Sequence, residues 1–407
     1  MIQSSTQSNN RQALIILGGG FIILAVGFGV RTSFGIVLPN IGEDTGWSIS
    51  MLSLAFAVQS LMWGVTQPFA GAFSDMLGPR KTFFLGGLVY ASGLGLMAIS
   101  WEPVTFTIGA GVLIGAAQSA LGFPILLGAI LRTAPKEKQG LYSGIATAGG
   151  AFGQFAFAPL SHMLNERIHW IDTMLVMAII CLGVSLLALL VLPAQTAPEK
   201  TPQTQQPDLR RTLQIAMRHK PFLLLIMGFF VCGFQLAFIT VHMPGFVATT
   251  DVPTVYAAYS LSIIGLANIV GCIVAGYLGG RMRPKFPLSV LYFLRTLAIA
   301  ALMLTPVTPL SIIMFSVAMG LLWLSTIPLT NGVVAQMFGN KFVGMLYGIV
   351  FLNHQIGSFI GVWVGGILFD ITGSFTIIWW LTAALGVIAT LLHLPIDDRR
   401  VSQFAEA

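Results

Sequence analysis

Polar residues along this chain come in short bursts. Between them lie apolar runs long enough, as helices, to cross a hydrocarbon core of ~30 Å. The pattern predicts helices near 13–39, 48–74, 82–100, 104–131, 139–163, 171–192, 221–246, 255–279, 287–305, 309–333, 342–369 and 373–394, twelve in all. Strands do not explain runs of this length, because an open sheet edge in lipid leaves backbone groups unsatisfied. One polar stretch differs from the rest. Residues 193–219 are rich in Pro, Gln and Thr and carry charge, so they read as a linker, ending in a short surface helix, between a six-helix bundle (1–192) and a second one (220–407).

Composition sharpens this reading. The chain is 56% hydrophobic and only 8% charged, where a soluble protein has roughly a quarter of its residues charged. Its net charge of +6 is distributed unevenly. Seventeen Lys and Arg residues fall in the linker, the terminal segments and one set of loops, and only Arg167 falls in the other set. The positive-inside rule therefore puts both termini in the cytoplasm, as in a multi-pass protein of a bacterial inner membrane. The first run is too long for a signal-peptide core and lacks a cleavage site, so it reads as a retained helix. Cys181, Cys232 and Cys272 lie within apolar runs and imply no disulfide framework. No HExxH, GxSxG or P-loop pattern is present. The expectation is a monomer that is not an enzyme, needs no cofactor or metal, and has membrane lipid rather than nucleic acid around it.

The two halves repeat. "AGAFSDMLGPRK" begins at Ala70 and "AGYLGGRMRPK" at Ala275, an offset of 205. "GLYSGIATAGGAFGQF" in the fifth run aligns with "GMLYGIVFLNHQIGSF" in the eleventh at an offset of 204, pairing Gly140, Gly144 and Gly153 with Gly344, Gly348 and Gly357. Two parallel six-helix repeats place a substrate site between the halves, near mid-depth.

With these motifs the chain resembles the major facilitator superfamily over its whole length. "GAFSDMLGPRK" is similar to that family's loop between helices two and three, with Gly71, Asp75, Gly78, Arg80 and Lys81 in place. The resemblance implies that Asp75, with Arg80, gates the cytoplasmic side, its carboxylate facing the positive N-terminal end of helix eleven. Within the superfamily, "GVRTSFGIVLPNIGEDTGWSIS" and "GIATAGGAFGQFAFAPLSHML" resemble helices one and five of the monocarboxylate transporters and their bacterial relatives. The resemblance implies that Arg31 holds a substrate carboxylate. Where that family has an acidic–arginine pair on helix eight, this chain has Asn268 and Cys272, so the second cation and the proton-coupling acid are missing. The drug–proton antiporter branch fits less well. Its helix-four arginine would fall near Gly111, and its Gly-Pro signature is absent from "GGAFGQFAFAPL".

Arg31 stands alone in its run, where a central guanidinium costs at least ~2.5–3.5 kcal/mol. At ~100° per residue it shares a helix face with Gly27, Phe34 and Gly35, and the small residues beside it suit a cavity. The alternative is a side chain snorkelling to the interface. For Arg295, in the ninth run, snorkelling or helix–helix bonding is expected. Gln118, Gln235, Asn268, Asn353 and His354 are the other mid-depth polar residues on helices that the resemblance places around the cavity. Gln59 and Gln154 are further candidates, and His242 sits nearer the rim. Each amide could equally serve only to join neighbouring helices. All Asp and Glu residues fall in loops or at helix ends. A transported proton would therefore use His354, the one mid-depth side chain of a type that titrates near neutrality, or travel with the anion; exchange without protons is the remaining choice. The expected function is secondary transport of a small organic anion, a monocarboxylate. Efflux of amphipathic compounds by antiport and a non-transporting receptor are the alternatives.

Overall fold

A computed structural model describes residues 2–133, 139–194, 209–339 and 343–401. They are almost entirely helical, and no β-strand occurs among them. The first half holds α1 (Ile2–Thr45), α2 (Ile49–Leu77) and α3 (Pro79–Ala98). A broken fourth run follows, made of α4 (Pro103–Thr107), a π-helical stretch (Ile108–Leu113), α5 (Ile114–Ala120) and α6 (Phe123–Thr133), and then α7 (Gln139–Asn165) and α8 (Trp170–Val191). Most of the linker lies outside the described residues; its last part forms α9 (Leu209–Arg218). The second half holds α10 (Lys220–Ala248), α11 (Val255–Arg281), α12 (Lys285–Leu304), a broken run of α13 (Pro309–Leu322) and α14 (Thr326–Phe338), then α15 (Val343–Thr372) and α16 (Thr376–His393). Local chemistry sets the ends. The Ser48 hydroxyl accepts the Met51 N–H at the start of α2. Gly78, at φ 82°, turns the chain directly into α3, which opens on Pro79.

Eleven of these helical runs are long and apolar enough to cross a membrane. The twelfth expected crossing corresponds to α7, which has spanning length at 27 residues but is not among the eleven. Its hydropathy is diluted by Gly144, Gly149, Gly150, Gly153 and Gln154.

Buried apolar side chains form two clusters, one drawn almost wholly from α1–α8 and the other from α9–α16. The halves are built alike, down to single contacts. A methyl on Gly153 of α7 would meet the Ala25 carbonyl of α1, and one on Gly357 of α15 would meet the Phe230 carbonyl of α10, at 1.9 and 2.1 Å. Both helix pairs therefore touch backbone to backbone. Arg80 donates from Nε to the Leu192 carbonyl (2.7 Å), beyond α8, and Lys285 donates from Nζ to the Ile396 carbonyl (2.5 Å), beyond α16. The fourth and tenth runs break at matching places. Pro124 and Pro328, 204 residues apart, sit in the first turns of α6 and α14. Each ring would strike the carbonyl four residues earlier if the helix continued.

The break between α13 and α14 explains Arg295. This side chain is fully buried, so it does not snorkel. It donates to the Leu322 carbonyl from Nε (3.1 Å) and Nη2 (2.6 Å), and from Nη2 to the Trp323 carbonyl. These are acceptors that a helix end leaves without partners, and a cation beside them also suits the negative end of the helix dipole. On the other side of the break, Asn268 Oδ1 accepts the Leu324 N–H at 2.9 Å.

The halves meet through α2 against α15, α7 against α11, and α1 against α10. At the end where α2 begins, Asp370 of α15 accepts the backbone N–H groups of Ile49 (3.1 Å) and Ser50 (2.8 Å). Gly35 of α1 lies so close to α10 that a methyl there would sit 2.4 Å from the Thr240 carbonyl. The Ser262 hydroxyl of α11 donates to the Phe155 carbonyl of α7 at 2.7 Å.

Candidate functional site

A cavity of about 140 Å³ lies between the halves, lined from α1, α2, α6 and α7 on one side and α10, the α13–α14 break and α15 on the other. Arg31 reaches it from α1. Its Nη2 donates to the Ser60 hydroxyl of α2 (3.0 Å), and the guanidinium lies 5.0 Å from the centre of the Trp63 ring. Its Nη1 is buried and has no hydrogen-bond partner. A buried donor on a charged group costs on the order of 1–3 kcal/mol or more when unpaired. Two further side chains lining the same cavity, both on α15, carry buried nitrogens without partners: His354 at Nδ1 and Gln355 at Nε2. The His354 ring stacks on Phe351 (centroids 6.0 Å apart) and contacts Phe229 (4.8 Å). Three unsatisfied polar groups, from both halves, thus line one apolar chamber.

The turn that presents Arg31 is itself held. The Gly27 carbonyl, one turn before it, accepts from Tyr90 Oη (3.3 Å) and Gln118 Nε2 (3.5 Å). Gln118 therefore lies behind the Arg31 turn and is not among the lining residues. Gln235 donates to the Thr382 carbonyl (3.1 Å), joining α10 to α16. Asn353 donates to the Ile226 carbonyl (2.7 Å), joining α15 to α10, and Asn268 holds the α13–α14 break. Gln59 bonds the Ala110 carbonyl (2.9 Å), and His242 bonds the Val362 carbonyl (2.8 Å). Each of these bonds secures one helix to another. Of the mid-depth polar residues expected at the site, Arg31, His354 and Gln154 line the cavity. The lining residues that sequence reasoning did not single out include Gln355, small and aliphatic side chains, and the rings Phe28, Trp63, Phe123, Phe229, Trp323, Tyr347 and Phe351. Rings are common throughout an apolar helix, so only position in the fold separates these from the rest.

The expected gate residues lie elsewhere. Asp75 is exposed near the end of α2 and has no hydrogen-bond or ion-pair partner among the described residues. Residues 340–342, just before α15, are outside that set. Arg80 is bonded within its own half, as described above.

Comparison with known proteins agrees with this architecture. Residues 20–361 match the Major Facilitator Superfamily. Monocarboxylate transporter 13 of Bos taurus is 25% identical over 389 residues, covering 93% of this chain and 89% of the relative. The uncharacterized MFS-type transporter YcxA of Bacillus subtilis is 24% identical over 391 residues, covering 93% and 94%. Among solved structures, a bacterial homolog of the human lysosomal transporter Spinster, in an inward-facing and occupied conformation, superposes with a TM-score of 0.75 at 14% identity, covering 95% of this chain and 98% of that one.

Proposed function

Since the chain belongs to the Major Facilitator Superfamily and is a membrane transporter, we propose that it carries a small organic anion with one carboxylate by alternating access through the cavity between its halves. The observation that carries this reading is the unpartnered Nη1 of Arg31, on a guanidinium with no acid beside it. A carboxylate offers two oxygens to the fork of Arg31 and neutralises its charge, which is the interaction arginine makes best. His354 and Gln355 then approach the anion from the opposite half. A ligand held from both halves favours the state in which they close around it.

The same reading makes α7 the twelfth crossing, leaves both termini in the cytoplasm with the basic loops, and treats 1–192 and 220–407 as the moving units joined by 193–219. Asp370 has two backbone donors at one end of the α2–α15 pair, whereas Asp75 has none among the described residues at the other. That asymmetry supports a state closed at the Asp370 end, with Asp75 as the carboxylate of the opposite gate. Coupling to protons rests on His354.

Uptake of radiolabelled benzoate and propionate into proteoliposomes containing the purified chain tests the proposal. Accumulation by the wild-type chain and its loss in Arg31→Gln are expected. The second reading, efflux of hydrophobic compounds, draws on the ring-rich wall; transport of a lipophilic cation that survives Arg31→Gln would replace the anion with that class.

A further inference from the structure

Seven aromatic rings line the cavity beside Arg31 and His354, interspersed with neutral polar groups and with aliphatic side chains such as Leu236, Leu324 and Ile327, and rings of the two halves touch one another. Phe28 and Phe123 lie 4.5 Å apart, and Phe28 meets Trp63 nearly edge-on at 5.8 Å. Trp63 meets Phe351 of the other half edge-on at 5.4 Å, with 75° between the planes. Phe229 packs against Tyr347 at 6.0 Å and against His354 at 4.8 Å. The cation lies at the edge of this set, 5.0 Å from the Trp63 ring.

Size and charge narrow what such a chamber takes. Its volume is about 140 Å³, and an apolar cavity of roughly 150 Å³ accommodates a benzene ring. A two- or three-carbon acid would satisfy Arg31 yet leave most of the wall without contact, and a wall facing a gap loses its dispersion contacts. A single aromatic ring fills the space and offers edges and faces to neighbours already arranged edge-to-face. A second carboxylate has nothing to meet. Arg295, the other arginine within the spans, has its donors committed to the Leu322 and Trp323 carbonyls and to Cys232.

We infer that the substrate class is carboxylates bearing one aromatic ring, with the carboxylate on Arg31 and the ring enclosed by Phe28, Trp63 and Phe123 from one half and Phe229 and Phe351 from the other. The inference rests on the anion reading above and extends it to the body of the ligand. It also accounts for the Trp63–Phe351 contact. A ring seated there bridges the halves, so the part of the ligand that sets affinity is also the part that draws them together.

The test is equilibrium binding to the purified full-length chain in lipid nanodiscs, read by tryptophan fluorescence, since Trp63 and Trp323 both line the chamber. The probes are benzoate, cyclohexanecarboxylate, propionate and benzyl alcohol. Benzoate is expected to bind about tenfold or more tighter than propionate, the scale of one or two aromatic contacts, and benzyl alcohol not to bind measurably. In Phe28→Leu and Phe351→Leu the ratio of benzoate to propionate affinity should fall toward one, with circular dichroism and melting temperature of the same samples showing that the variants fold. Equal wild-type affinities for propionate and benzoate would overturn the aromatic class and leave the anion reading standing. Cyclohexanecarboxylate binding as tightly as benzoate would show that bulk, not aromaticity, is selected, and would overturn it too. Benzyl alcohol binding where no carboxylate does would overturn both readings at once.

Discussion

Arg31 combines a charge within a span, one hydrogen bond to a neutral hydroxyl, and one donor with no partner. A purely structural arginine in the same fold looks different, and Arg295 provides the comparison, with its donors spread over two carbonyls and a thiol. Arg31→Lys keeps the charge and loses the fork. It should weaken benzoate binding about tenfold to a hundredfold, the scale of one charge-assisted hydrogen bond, as titration calorimetry would show. His354→Gln puts a neutral amide in place of the imidazole, which can take up a proton. Initial uptake rates measured across about pH 5.5–7.5 should lose their pH dependence; an unchanged profile points to a proton carried by the anion itself or to exchange without protons. The residue scale is also where the sequence alone is least decisive. A lone charge in an apolar run is conspicuous, so Arg31 and His354 could be singled out. Gln118, Gln235, Asn268 and Asn353 were equally conspicuous, yet they hold helices together, because an amide that bonds a neighbouring backbone and one that faces a ligand have the same sequence signature.

Glycines act at the scale of the helix pair. The repeat aligned Gly144 with Gly348 and Gly153 with Gly357 as equals, but only the second pair lies at a contact. A methyl on Gly153 would meet the Ala25 carbonyl at 1.9 Å, whereas one on Gly144 meets nothing within 4 Å. Gly153→Ala should therefore lower the melting temperature of the purified chain by forcing α7 off α1. Gly144→Ala should leave it unchanged or raise it slightly, since removing a mid-helix glycine is favourable by about 0.5–1 kcal/mol. Scanning fluorimetry on both variants makes the comparison. Helix breaks were less visible from composition. The fourth and tenth runs read as continuous because the apolar residues on either side of each break outweigh it, although Pro124 and its repeat partner Pro328 lie just past the breaks. A proline in an apolar run carries backbone information that a hydropathy window averages away.

At the scale of the whole molecule, two similar bundles around one chamber were legible because length, hydropathy and the repeat offset all point the same way. Which end of the α2–α15 pair is clasped by a carboxylate is not legible, since it depends on contacts between residues some 320 positions apart. Asp370 spans that separation. Its carboxylate sits at the positive end of α2, where a negative charge is stabilised by about 0.3–1 kcal/mol at an exposed site. Asp370→Asn keeps the shape and removes the charge. Distance measurements between spin labels on α2 and α15 near this end should show the population with the two helices apart increasing several-fold, with melting temperature little changed.

The grip of Asp370 falls on the main chain of α2, so side-chain exchanges at Ile49 and Ser50 leave both donors in place. Only an imino acid deletes one. Ile49 is the first residue of α2, a position that tolerates proline, and Ser48 before it is already extended at φ −65° and ψ 154°, the conformation a following proline requires. Ile49→Pro should therefore keep α2 helical, by circular dichroism, and halve the clasp. One atom of the backbone, an amide hydrogen, becomes the handle by which the resting state of this carrier can be adjusted without touching its binding chamber.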